Sequence, residues 1–248
     1  MVMRQTPVLR RSAPSLDSPA RRPTEDEATD TLRHMILNGQ LGPGCRVTEH
    51  ALADEIGMTR GAARSALNHL SREGLIIKVP YSGWLVMPLT ASDAWELYTL
   101  RANLEMLAAS LAAQHLDSRR AAELQMSFEQ LVAACRKQNR ALVAEADFQL
   151  HKTIVTISGH QRLLEQYRLV QQQIRVYISS SDAITPTFQT FIDHHQPIVE
   201  AILSRDSESA ARLSSEHNLS EGRKLHKALL KVEAARATSL DENVDAPG

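Results

Sequence analysis

The stretch VTEHALADEIGMTRGAARSALNHLSREGLIIKVPYSG, running from Val47 to Gly83, decides how this chain is read. Thr48 precedes a short helical segment that closes at Gly57. Met58 and Thr59 then lead into a second, from Arg60 through Leu70, which stops at Gly74. A threonine before a helix accepts from its orphan amides, and a glycine after one adopts the left-handed turn that ends it. Two helices joined by a short Gly-containing turn make a helix-turn-helix unit. Leu52, Ile56, Ala63, Leu67 and Leu70 fall on inward positions, whereas Arg60 and Arg64 share an exposed face near the start of the second helix. Leu75 to Val79, the turn Pro80-Tyr81-Ser82-Gly83, and Trp84-Leu85-Val86 predict a small hairpin, a wing. This pattern points to a protein that reads DNA rather than one that catalyses a reaction.

Working outward, Glu27 to Leu41 carries Ala28, Leu32, Met35 and Ile36 at helical period and closes on Gly42-Pro43-Gly44. It is the first helix of a winged unit spanning 26–89. Before it, residues 1–25 hold five arginines and four prolines without apolar periodicity, and read as a disordered tail. After the unit, Leu89 to Ser92 is a connector in which Thr90 or Ser92 can cap the next helix. From 93 to 232 six helical segments follow, at 93–115, 118–136, 140–158, 161–180, 187–204 and 207–232. Their breaks fall at Asp117-Ser118, Asn139, Gly159, Pro186 and Asp206. Short loops between such segments predict an antiparallel all-α bundle. Residues 238–248 are polar and read as a frayed tail. The fold class is therefore mainly α, a winged helix-turn-helix followed by a helical bundle.

Composition agrees with this reading. Of 248 residues, 43% are hydrophobic but only 4% aromatic, and Leu and Ala dominate, which favours packed helices. The formal net charge of -1 argues neither for nor against nucleic acid, because a basic patch is local. Cys45 and Cys135 stand far apart without metal-type spacing and read as free thiols of a reducing compartment. No run approaches the ~20 apolar residues of a membrane span, and the N-terminus lacks the apolar segment of a secretory leader. A cytoplasmic protein without membrane attachment is expected.

Within the bundle, Asp147 and His151 stand four residues apart, about 40° around a helix axis, with Leu150 and Ile154 beside them. His195 and His217 lie on the last two segments, amid Ile198, Ile202 and Leu213. One carboxylate and three imidazoles on inward faces suit a divalent ion such as zinc, nickel, manganese or iron. The same residues also suit hydrogen-bonded core histidines, and His194 beside His195 leaves open which imidazole points inward. His34, His50, His69, His115, His160 and His226 read as surface or structural.

Taken together, these features resemble a GntR-family transcription regulator with an FCD-type ligand domain. The resemblance rests on Leu41-Gly42-Pro43-Gly44 through Val47, Glu49, Leu52-Ala53 and Ile56-Gly57, then on Thr59-Arg60, Arg64, Ala66-Leu67, Leu70 and Glu73-Gly74-Leu75. It continues in Glu96-Leu97-Tyr98, Arg101 and Leu104-Glu105, and covers about Asp30 to Leu229. It implies that Asp147, His151, His195 and His217 hold a divalent metal, the step of 22 residues between the last two fitting that class. It further implies that the ion helps bind a small organic acid, a sugar acid or hydroxyacid among the options, with Arg101 or Arg175 balancing charge and Gln171, Gln172 and Tyr177 lining the cavity. For double-stranded DNA it implies contacts from Thr59, Arg60 and Arg64, and from His50 and the wing at Ser82 and Gly83. His50 stands where many relatives carry arginine, Ser82 where they place a basic residue, and Gly61-Ala62-Ala63 lacks their Thr-Pro, so the operator differs from theirs. A homodimer on a palindromic operator, most often a repressor, is the implied assembly. The rival readings are a DNA-binding regulator with a purely structural metal or no metal, and a metal-dependent hydrolase; for the latter no general-base or nucleophile motif accompanies the ligands.

Overall fold

The computed structural model describes residues 24–185 and 187–244, with residues 181–183 and 236–244 as backbone alone. The chain begins with α1 (Glu25–Leu37), β1 (Arg46–Val47), α2 (Glu49–Ile56), α3 (Arg60–Arg72), β2 (Ile76–Val79) and β3 (Gly83–Val86). Thr24 opens α1 with a capping box: its side chain accepts from Glu27 N while Glu27 accepts from Thr24 N at 2.7 Å. α1 stops at Leu37, short of the Leu41 expected from the apolar pattern, because Gly39 takes a left-handed φ of 74°. Residues 1–23, most of the segment read as a tail, lie outside the described residues, while Thr24 and Glu25 already belong to α1 and its cap.

Thr48 and Thr59 cap α2 and α3, and Gly57 ends α2 at a φ of 72°. The wing hairpin is present, and β1 adds a third strand, giving antiparallel order β1-β3-β2. That two-residue strand carried too short a pattern to be read from sequence. Leu32, Leu52, Leu67, Leu70, Trp84 and Val86 close one hydrophobic core between the three helices and the sheet.

The bundle follows as α4 (Ala91–Gln114), α5 (Ser118–Arg136), α6 (Arg140–Ile157), α7 (Gln161–Ile184), α8 (Phe188–Leu203) and α9 (Ser207–Val244). Thr90, Asp117, Asn139 and Thr187 cap α4, α5, α6 and α8, so residues that punctuate the sequence also satisfy the orphan amides. α9 runs on to Val244, past the 232 at which its apolar period fades and into the segment read as frayed. Along their lengths α4 and α9 pack closely, and Gly222 makes this possible: a Cβ there would lie 2.6 Å from Cβ of Tyr98. Among the described residues no helix is long and apolar enough to cross a membrane.

Among the described residues, α7 joins the bundle to the winged unit. Val176 of α7 packs against the winged core, and Gln173 donates to the carbonyl of Gly74 at 3.4 Å. Within the bundle, α9 ties down the start of α4: Glu233 accepts from Ala91 N at 2.8 Å, and His226 Nδ1 lies 2.8 Å from Ala91 O. Between bundle and winged unit lies a cleft of about 680 Å³, lined from both sides by residues such as Ile36, Leu75, Met87, Arg140 and Arg175.

Candidate metal centre and DNA-facing groove

Asp147 and His151 stand on successive turns of α6, and both point into the bundle. α8 brings His195 to them: its Nε2 lies 2.8 Å from Asp147 Oδ1 and 3.1 Å from Nε2 of His151. His217 of α9 completes the group, its ring 4.5 Å from that of His195 and stacked 5.3 Å from that of His151, centroid to centroid. Ligand atoms of His151, His195 and His217 lie within 4.8 Å of one another. The structure thus places the four sequence-chosen residues together, and it turns His195 rather than His194 inward.

The far sides of the imidazoles explain their orientation. His151 Nδ1 faces Glu105 Oε2 at 2.8 Å, and His195 Nδ1 faces the carbonyl of Phe191 at 2.7 Å. With Nδ1–H donating outward in each ring, both Nε2 atoms turn lone pairs toward the Asp147 carboxylate. Asp147 Oδ1 is buried and takes no hydrogen bond of acceptable geometry. Acceptors converging in a dry site need a cation between them, which is what a metal supplies. The donor set therefore fits a divalent ion.

Glu105 is a candidate site residue that sequence reading did not single out. It is 1% exposed, receives Arg101 Nε at 2.8 Å, Asn218 Nδ2 at 2.9 Å and Tyr167 OH at 3.1 Å, and holds His151. Its signal was the four-residue spacing from Arg101 on α4, a spacing that on most helices marks a solvated ion pair. Burial works against its charge, but Arg101 and His151 outweigh that and hold Glu105 far below the usual carboxylate range.

The rings respond differently to the same surroundings. Burial, then the neighbouring His195, pushes His217 well below the usual imidazole range. Burial lowers His151 as well, with Glu105 opposing. For His195 burial also disfavours charge, but Asp147 outweighs it and the net direction is upward. Asp147 is lowered in turn, His195 and His151 overcoming its burial.

Of the residues expected to line an effector cavity, Arg101 borders the pocket at this cluster, together with Tyr98, Ile178 and Phe191. Its Nη2 is buried without a hydrogen-bond partner among the described residues. Arg175 and Tyr177 border the cleft between winged unit and bundle instead. There Arg175 pairs with Glu145, and Tyr177 OH donates to Asp93. Gln171 is half-buried and borders neither space.

On the winged unit, a groove runs between the start of α3 and the wing, bordered by His50, Arg60, Arg64, Lys78, Tyr81 and Gly83. Thr59 caps α3, accepting from Ala62 N at 3.1 Å. Arg64 Nε reaches both carboxylate oxygens of Glu49 at 3.0 Å, and His50 Nδ1 lies 3.4 Å from Arg60 Nη2 and 3.1 Å from Asp54. Ser82 is bonded to Arg46 behind the wing turn. Tyr81, at the tip with a φ of 60°, is fully exposed and was not singled out from sequence.

A winged helix-turn-helix joined to a helical bundle with an inward His/Asp cluster defines a class of DNA-binding regulators, and comparison with known proteins agrees. The family described as bacterial regulatory proteins, gntR family, matches residues 24–86, and the FCD domain matches residues 96–220. The chain belongs to the GntR family of bacterial transcriptional regulators and carries an FCD domain; its relatives are regulators, not enzymes. An uncharacterized HTH-type transcriptional regulator, YdhC of Bacillus subtilis, is 26% identical over 72% of this chain and 80% of its own. The probable D-xylose utilization operon transcriptional repressor of Paenarthrobacter nicotinovorans is 25% identical over 82% of this chain and 90% of its own. In fold, the chain is similar to McbR/YncC of E. coli, with a TM-score of 0.69 and 21% identity across 82% of this chain and 97% of that one.

Proposed function

We propose that this regulator is a metal-dependent, organic-acid-responsive repressor that binds a palindromic operator as a homodimer. The observation that carries the reading is the meeting of Asp147, His151, His195 and His217 beside the unpartnered Nη2 of Arg101. Those four residues would hold a divalent ion. The ion would supply open coordination positions for a carboxylate or hydroxyl oxygen, and Arg101 a guanidinium for the remaining charge. The name of the Paenarthrobacter relative supports repression as the mode of action.

Space supports the coupling. The pocket beside the cluster holds about 10 Å³, room for about one water. An acid larger than that enters only if a neighbouring helix yields, so effector binding and conformational change are one event. α7 is placed to carry it, since Ile178 borders the pocket while Gln173 and Val176 of the same helix touch the winged unit. An effector shifts DNA affinity by its differential affinity for the two arrangements. The same lack of space favours, as a second reading, an ion that only staples α6, α8 and α9 together.

Each half of a dimer would present α3 to one major-groove half-site, Arg60 and Arg64 reading guanine through O6 and N7. Leu100 and Leu107, exposed two turns apart on α4, support a pairing surface there. The test is operator binding with metal-loaded and chelator-stripped protein across a panel of sugar acids and hydroxyacids. Release by one acid that requires the metal and Arg101 supports the sensor. Loss of thermal stability on stripping, with no acid releasing DNA, supports the staple.

A further inference from the structure

The metal cluster does not use every ligand that faces it. His194, the neighbour of His195 on α8, lies 3.4 Å through Nδ1 from Glu221 Oε1 on α9. Glu221 stands one turn beyond His217, so the two share a helix face. Ligand atoms of His194, His217 and Glu221 fall within 4.8 Å of one another, a second trio hinged on the same imidazole. Its burial is graded. The His194 side chain is 37% exposed and that of Glu221 10%, whereas Asp147 and His195 of the inner group are at 5% and 4%. His194, His217 and Glu221 border one pocket together with Asp147 and His195 of the inner group.

A route for an ion needs an outer stop, because a hydrated divalent cation does not shed its water in one step into a closed cavity. Two imidazoles and a carboxylate form a ligand set that zinc and similar borderline ions accept, with a coordination position left open for water. Glu221 already holds a cation, since Lys224 Nζ bonds it at 2.7 Å from the next turn. That ammonium compensates the buried carboxylate and must swing away, as an exposed lysine can, when an ion arrives.

We infer that His194, His217 and Glu221 form an outer transit site for a divalent metal ion, through which the ion reaches and leaves the inner group by way of His217. The inference rests on the metal reading above. It adds that loading is kinetically gated by residues that do not hold the ion at rest.

The experiment follows Zn²⁺ uptake by stripped full-length protein, and its removal by a chromophoric chelator, in stopped flow. Glu221→Gln and His194→Gln are expected to slow uptake and removal by the same factor, about tenfold, leaving the equilibrium affinity unchanged. Lys224→Ala, which frees the carboxylate, is expected to accelerate both. Arg223→Ala removes the same charge from an exposed neighbouring position and is expected to change neither. Unchanged rates in the Glu221 and His194 variants overturn the transit site, as does a loss of equilibrium affinity confined to slower uptake or faster release. A wild-type chain that takes up no Zn²⁺ refutes the inner group itself. Thermal melts of each variant confirm that the comparison is between folded proteins.

Discussion

Glu105 on α4 holds His151 on α6 by its Nδ1 at 2.8 Å, and the same carboxylate neutralises the buried Arg101. One side chain thus orients a candidate metal ligand and compensates a candidate effector-binding cation. Glu105→Gln keeps the shape but weakens the acceptor behind His151, and should lower metal affinity about 10–100-fold by titration against a competing chelator. Glu105→Ala also strands the Arg101 guanidinium, and should cost about 3–5 kcal/mol in denaturant unfolding. Equal stability of the alanine variant and the wild type would remove Arg101 from the buried pair.

In the stripped protein, stability should fall on acidification. His217 and His151 have folded pKa values below the ~6.5 of an unfolded imidazole, so between those values the unfolded chain binds more protons. Their contribution is present above about pH 6.5 and lost as pH drops toward their folded values. Asp147, also lowered, acts with the same sign but only below the ordinary aspartate range of about 4. His195 is raised and acts oppositely: its contribution is present below about pH 6.5 and fades as pH rises through its folded value. With two imidazoles against one, the melting temperature of stripped protein should drop between about pH 7 and pH 5. Bound metal should move that drop to lower pH, because protons must then displace the ion. A melting temperature that is flat across this range in stripped protein would contradict the neutral burial of His217.

At the DNA face, Arg64 rests on Glu49 in the free protein. Arg64→Ala should weaken operator binding about tenfold to a hundredfold and relax discrimination at one base pair of each half-site. Thr59→Ala should act on all sequences alike, since a cap and phosphate contact carries no base information. Fluorescence anisotropy with operator and scrambled duplexes at several salt concentrations separates the two. Equal loss on both duplexes for Arg64→Ala would move base reading elsewhere.

Gly222→Ala should destabilise the bundle by about 1–3 kcal/mol through overpacking, because the added Cβ meets the Tyr98 side chain at 2.6 Å. Gly222 has no left-handed φ, so the cost is purely steric. Differential scanning calorimetry checks it, and an unchanged melting temperature would mean that the helices part readily.

Much of this architecture was legible because the same residues punctuate sequence and structure. Thr48, Thr59, Thr90, Asp117 and Asn139 sit at breaks in periodicity and cap the helices that follow. The candidate metal ligands were legible for a related reason: Asp147 and His151 share a helix face whatever the tertiary fold. His194 against His195 was not, since adjacent helical positions differ by about 100° and only the packing of α8 selects one. Arg175 and Tyr177 share α7 with Ile178, yet they face the cleft while Ile178 faces the pocket at the His/Asp cluster. Spacing within one helix says which residues lie together, and the partner they meet depends on helices distant in sequence. Glu105 escaped for the opposite reason, as a charged pair four apart on a helix reads as surface until that face of the helix is found buried.

The missing side chain at Gly222 decides more than a packing distance. Where α4 and α9 interlock this closely, they behave as one girder, with His217, Glu105 and Arg101 fastened to it at fixed separations. A girder does not bend to admit a guest. Motion that answers an effector must then fall to α6, α7 and α8, which close the other side of the pocket. Of these, α6 and α7 also border the open cleft, where there is room to travel.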